Sequence, residues 1–233
     1  MNDRVLVIGG TRGTGFLITR LLLQHGYRVR ALARNEAEAK RKLGTHVEIV
    51  AGDVTKPETL PAAAKAIDHV IFTAGVTKRP AGERLVRATE YDGVRNTLGA
   101  ATRAGFGGRF LYMTSIGVTK SSLAAALLNL VKRNTLRWRS RAEDEIRRSG
   151  LPYTIIRAGF LTNARAGTRA IEVSQRDYPL TFKYRIARAD VAEVFVQTLK
   201  HPGTSRTTFE AVSGEGAVRE GWGVLFSRLK PDT

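Results

Sequence analysis

Residues 5–35 read VLVIGGTRGTGFLITRLLLQHGYRVRALARN: an apolar run, a glycine-rich turn, an amphipathic stretch and a second apolar run. This unit constrains the fold more than any other feature. The first run is short and unbroken by polar residues, as in a strand covered on both faces. The stretch after it has apolar residues at helical spacing and closes on Gly26, a helix stop. Two strands joined through a helix lie parallel, with a right-handed crossover.

The same alternation continues along the chain. Further strands are expected at HVEIVAGD, DHVIFTAG, GRFLYMTS and PYTIIRAG, with a late one at TTFEAVS. Helices are expected at AEAKRKLG, across KPETLPAAAKAI, from Glu83 to Ala104, at LRWRSRAEDEIRRSG and at ARADVAEVFVQTLKHPG. In YRVRALAR the spacing buries Val29, Leu32 and Ala33 unevenly. The fold class that follows is α/β, a doubly wound parallel sheet of the Rossmann type. At 233 residues, with no linker, repeat or low-complexity segment, the chain reads as one domain over 1–233. Its less regular tail, roughly 160–233, reads as a small substrate-side lobe.

Gly9, Gly13 and Gly15 fall between the first strand and the first helix. Glycines let the backbone turn sharply and approach a pyrophosphate, which the N–H groups of the helix end attract. Gly9, Thr11, Arg12, Gly13, Thr14 and Gly15 form the expected phosphate-binding turn. The second strand then ends in Arg34, where an NAD site usually has an acid for the ribose hydroxyls. A carboxylate repels a 2′-phosphate, whereas a guanidinium grips it with paired charge-assisted bonds. Arg12 reaches toward the same place from the turn. NADPH is the cofactor that uses both arginines; the alternative leaves them as solvated surface charges.

Several stretches together resemble the atypical short-chain dehydrogenase/reductases of the NAD(P)H-binding, NmrA-like group. They are VIGGTRGTG, ALAR, VAGDVT, FTAG, YDGVRNTLGAA, FLYMTSIGV, RAEDEIRRSGLPYTIIRAGFLTN and ARADVAEVFVQTL, nearly the whole chain. The glycine spacing G-x-x-x-G-x-G departs toward the main branch of that superfamily. The resemblance implies that Asp53 and Val54 flank an adenine and that Thr73, Ala74 and Gly75 pack against its ribose. It also implies that Thr114 and Ser115 face the nicotinamide ribose and substrate, beside Ala158, Gly159 and Phe160. The alternative for Asp53 is a helix cap or turn residue.

The main branch uses a tyrosine acid with a lysine four residues on, and no Tyr-x-x-x-Lys occurs in this chain. Where atypical relatives often place a lysine, LRWRSRAEDE carries Arg139 and Arg141. Arginine holds a hydroxyl or carboxylate but hardly releases a proton. Ser115 and Arg141 are the catalytic candidates, Ser115 to orient a carbonyl unless its hydroxyl is spent on backbone. Tyr153-x-x-x-Arg157 has the right spacing but lies in an expected buried strand, and Tyr112 and Trp138 read as packing residues. His25, His46, His69 and His201 have no paired spacing and read as surface residues, so no metal site is expected.

Charge is the anomaly: 38 basic against 21 acidic residues give a net charge of +17. The arginines are dispersed, without aromatic interleaving, so specific nucleic-acid binding is not expected. A basic site favours a small, anionic substrate. With no cysteine and no secretory leader, a cytoplasmic setting is expected. The most apolar stretch, LAAALLNLV from Leu123, is too short to cross a bilayer. Two functions follow: an NADPH-dependent oxidoreductase passing hydride to a small electron-poor acceptor, or a non-catalytic NADPH-binding sensor or regulator. An epimerase-like activity is weakened by the short tail. The sequence leaves the oligomeric state open.

Overall fold

Val5, Leu6, Val7 and Ile8 are all buried in the first strand, β1 (Arg4–Ile8), which therefore lies inside the sheet with cover on both faces. The computed structural model describes residues 3–77, 82–119, 122–217 and 220–233. From β1 the chain runs through α1 (Gly13–Gln24), β2 (Arg28–Ala33), α2 (Glu36–Leu43) and β3 (Val47–Ala51). It then crosses to the other side of β1 to form β4 (His69–Phe72), β5 (Arg109–Ser115) and β6 (Tyr153–Ala158). The sheet order is β3-β2-β1-β4-β5-β6, continued by β10 (Thr207–Ser213) and β8 (Ile171–Ser174). All neighbours are parallel except β8, which runs antiparallel to β10. Strand order reverses between β1 and β4, and a crevice opens there at the carboxyl ends of the strands.

Two apolar layers cover the sheet. Val5, Val7, Ile18, Leu22, Val194 and Phe195 form one, with α1 lying against α8 (Arg188–Lys200). Leu6, Ile8, Phe72, Val94, Phe110 and Tyr112 belong to the other, beneath α5 (Gly93–Arg103) and α7 (Thr135–Arg148). Around the cleft stand α4 (Glu83–Arg87), α6 (Leu123–Val131) and a small parallel pair, β7 (Phe160–Thr162) with β9 (Arg185–Ala187). The chain closes with α9 (Trp222–Ser227).

The structure corrects four local expectations. The helix across KPETLPAAAKAI is broken into a 3-10 turn, Pro57–Thr59, and a one-turn α3, Pro61–Ala64. Pro61 has no N–H to continue the first segment, so it starts the second. The long helix from Glu83 is interrupted by a wide π turn at Ala88–Asp92 before α5 begins. Arg30, on a strand read as unevenly buried, is itself buried. Its guanidinium donates to the carbonyls of Ala63 and Lys65 at 2.9 and 2.6 Å and pairs with Glu48 at 2.9 Å. The tail also divides: β10 and α8 complete the main sheet and its helical layer, while β7 and β9 stand beside the cleft.

Candidate functional site

The crevice is a cleft of about 810 Å³ running from the glycine turn to Phe160. Its narrowest construction is at the turn. A Cβ on Gly15 would lie 2.3 Å from the Gly9 carbonyl oxygen and 2.5 Å from Thr73 Oγ1, so only glycine allows this packing. Gly9 has φ +88° and Gly13 φ +56°, backbone that glycine adopts without strain. A Cβ on Gly13 would touch nothing, so the turn leaves open space above the end of α1. No side chain caps α1 and no acid lies in its first turn, which leaves the positive helix end for an anion.

Two buried hydroxyls fit a ligand with polar groups. Thr14 Oγ1, at the start of α1, and Thr114 Oγ1, near the end of β5, line the cleft without a hydrogen-bond partner. A buried hydroxyl left unpaired is costly, and a bound sugar or phosphate oxygen satisfies it. The donor set and the glycine cradle therefore fit a dinucleotide.

Every cofactor residue expected from the sequence lines this cleft: Gly9, Thr11, Arg12, Gly13, Thr14, Gly15, Arg34, Asp53, Val54, Thr73, Ala74, Gly75, Thr114, Ala158, Gly159 and Phe160. Arg12, the residue before α1, and Arg34, just past β2, are both exposed. Asp53 takes the turn role as well: its Oδ1 accepts from the Thr55 N–H and hydroxyl, each at 2.9 Å. The Thr73 hydroxyl donates to the Ile8 carbonyl at 3.0 Å and ties β4 to β1 beside the turn.

The catalytic candidates fare differently. Ser115 lines the cleft, but its hydroxyl donates to the Ile116 carbonyl at 2.9 Å. Arg141 is exposed, lies 5.0 Å from the Trp138 ring centre and does not line the cleft. Residues 139 and 141 lie about 200° apart around a helix, so one face cannot hold both. Arg139 is the one turned inward, on the stripe with Ala142, Glu143 and Ile146. That stripe was readable at i, i+3, i+4, i+7, and it selects Arg139 over Arg141.

Sequence reasoning missed the partner of Arg139. Glu90, within the π turn, is 2% exposed and lines the cleft. Arg139 Nε donates to Glu90 Oε2 at 2.9 Å, Thr135 donates to the same oxygen, and the Val76 N–H reaches Oε1 at 3.0 Å. Burial works against the carboxylate, yet the Arg139 charge and these bonds outweigh it and hold the Glu90 pKa below the usual range. The pair stands directly behind Gly75, where a Cβ would lie 2.8 Å from Arg139 Nη2. The position of Glu90 was readable too, since residues 86, 90, 93, 94 and 97 share one helical face and all are buried, but an acid on that face named no partner.

The expectation that all four histidines lie at the surface holds only in part. His25 and His46 are exposed, but His69 is half-buried beside Asp3 and accepts from the Arg109 N–H. Burial, then the charge of Arg109, lowers its pKa. Tyr112 is buried and burial pushes its phenol well up, while Tyr153 is pushed to about 12 by burial and by Asp232. Neither is poised as an acid at neutral pH. Among the described residues no cluster of His, Asp and Glu is arranged to hold a metal ion.

Residues 9–202 match the family described as NAD(P)H-binding. Sanguinarine reductase of Eschscholzia californica is 31% identical over 97% of this chain and 95% of its own length. An NAD(P)H azoreductase of Xenophilus azovorans is 26% identical, covering 90% of this chain and 70% of the relative. A solved structure from Bacillus halodurans, described as an NAD-dependent epimerase/dehydratase, superposes with a TM-score of 0.80. It shares 27% identity, covering 93% of this chain and 96% of that one.

Proposed function

The chain belongs to the NAD(P)H-binding family of atypical short-chain dehydrogenase/reductases, and on that premise we propose that it is an NADPH-dependent reductase of a small electron-poor acceptor. One observation carries the choice of NADPH. Arg12, just before α1, and Arg34, just past β2 where a carboxylate would select NADH, are both exposed and both line the cleft.

In this reading the glycine turn and the uncapped end of α1 hold the pyrophosphate, and Thr14 satisfies its hydroxyl there. Asp53 and Val54 border the adenine, and Thr73, Ala74 and Gly75 its ribose. The Thr114 hydroxyl meets the second ribose, with Ala158, Gly159 and Phe160 beside the nicotinamide. When bound, the reduced nicotinamide supplies the hydride. The chain positions the acceptor, and the proton comes from solvent, because no residue here matches the tyrosine–lysine acid. Arg188, which donates to Asn163 at 2.7 Å and lines the cleft, favours an anionic acceptor. Residues 1–233 then act as one domain, with the cleft-side part of the tail as the substrate lobe, in the reducing setting of the cytoplasm.

Calorimetric titration with NADPH and NADH tests the cofactor choice. NADPH should bind about 10- to 1,000-fold more tightly, Arg34→Ala should remove most of that preference, and Arg12→Ala a smaller part. Equal loss of both cofactors would mean that the arginines serve the fold or the pyrophosphate instead. The bond from the Ser115 hydroxyl to the Ile116 carbonyl favours a second reading, a non-catalytic NADPH sensor. A screen of NADPH oxidation across flavins, quinones and small carbonyls separates the two: turnover supports the reductase, tight binding without turnover the sensor.

A further inference from the structure

Two features are left unused by the cofactor site, the apolar stretch at Leu123 and much of the positive charge. The structure brings them together. The helix α6 contains no charged residue, and only Ala125 is fully buried in it. Leu123, Leu127, Leu130 and Val131 are 92, 62, 71 and 50% exposed. At about 100° per residue these four share one face, an arc of about 100°. Monomeric proteins seldom leave so dense a leucine face in water.

A basic belt adjoins it. Lys132 and Arg133 follow α6 directly at the cleft lip, and both are exposed. On α7 and α4, Arg137, Arg141 and Arg87 gather over the Trp138 ring, 5.0–6.0 Å from its centre. The Asn134 side chain donates to Glu83 at 2.9 Å and locks the α6–α7 corner to α4. The acids on this face are already engaged, Glu83 by Asn134 and Trp138, Asp92 by Arg87.

We propose that this face, α6 with the basic belt beside it, docks the protein onto an anionic lipid surface. Leucines enter the boundary between headgroups and acyl chains while arginines meet the headgroup charge, as in interfacial amphipathic helices. A second copy is disfavoured, since it would set two belts of a +17 chain against each other. Nucleic acid offers the negative charge but nothing to receive three leucines and a valine. Docking leaves the cleft mouth, which Val131 lines, next to the lipid.

Sedimentation with vesicles of about 30% phosphatidylglycerol in phosphatidylcholine tests this, against pure phosphatidylcholine vesicles. The intact chain should bind the anionic vesicles and release at about 0.5 M salt. Leu123→Glu with Leu127→Glu should lower the partition coefficient by at least about tenfold, with unchanged NADPH binding to show that the fold survives. Arg133→Glu with Arg137→Glu should weaken binding to anionic vesicles alone. No binding of the intact chain, or undiminished binding of the leucine variant, overturns the proposal. So does a dimer in light scattering that the leucine substitutions dissolve.

Discussion

Two buried ion networks hang from the same helix, and they are built on opposite charge balances. Arg139 and Glu143 lie four residues apart on α7, one facing the cleft and the other facing β6 and β10. At the cleft, one guanidinium meets one carboxylate, Glu90, which gains two further donors. Behind it, Arg157 serves several acids at once. It contacts Glu143 at 2.7 Å, Glu210 at 3.3 Å and Asp177 at 3.6 Å, with Arg147 assisting at Glu143. The pKa directions differ accordingly: Glu90 is lowered, while burial pushes Glu210 up despite Arg157. Both are buried, so the donors and charges around each carboxylate decide which way its pKa moves. Glu90 has three donors, while Glu210 shares Arg157 with other acids and faces the charge of Asp177.

The harshest way to break the comparison is Arg157→Leu. It leaves Glu143 and Glu210 buried without their shared cation, and should cost about 3–5 kcal/mol in urea unfolding. Arg139→Leu should cost less, about 2–3 kcal/mol, because Glu90 keeps Thr135 and Val76 and borders a cleft that water enters. Equal losses would show that donor count is not what separates the sites.

Acid carboxylate titration sharpens the contrast with a smaller effect. Glu90 has a depressed folded pKa, so its contribution is complete above the unfolded value and fades as pH falls through the folded one. Glu210 has a raised one, so its ionised form opposes folding, and that penalty grows as pH rises from the unfolded value through the folded one. Glu90→Gln should therefore flatten the acid limb of a stability–pH curve. Glu210→Gln should change stability by less than about 1 kcal/mol at neutral pH, and a large loss would mean that its charge is needed.

The chain alone determined the sheet, the crevice and the residues that line it around the glycine turn. Continuous apolar runs, helical spacing and three glycines are local signals, and a strand followed by a glycine turn and a helix has few ways to fold. Arg12 and Arg34 were legible for the same reason, since each sits at a strand or helix end whose place in that unit is known. Tertiary structure decided what depends on distant segments meeting. It gave Glu90 a cation to pair with, drew His69 and Arg30 under cover, and set α6 outside the core. The first three rest on a partner far along the chain: Arg139 for Glu90, Arg109 for His69, Lys65 for Arg30. Local spacing fixes which way a side chain leaves the backbone, and only packing fixes what it finds there.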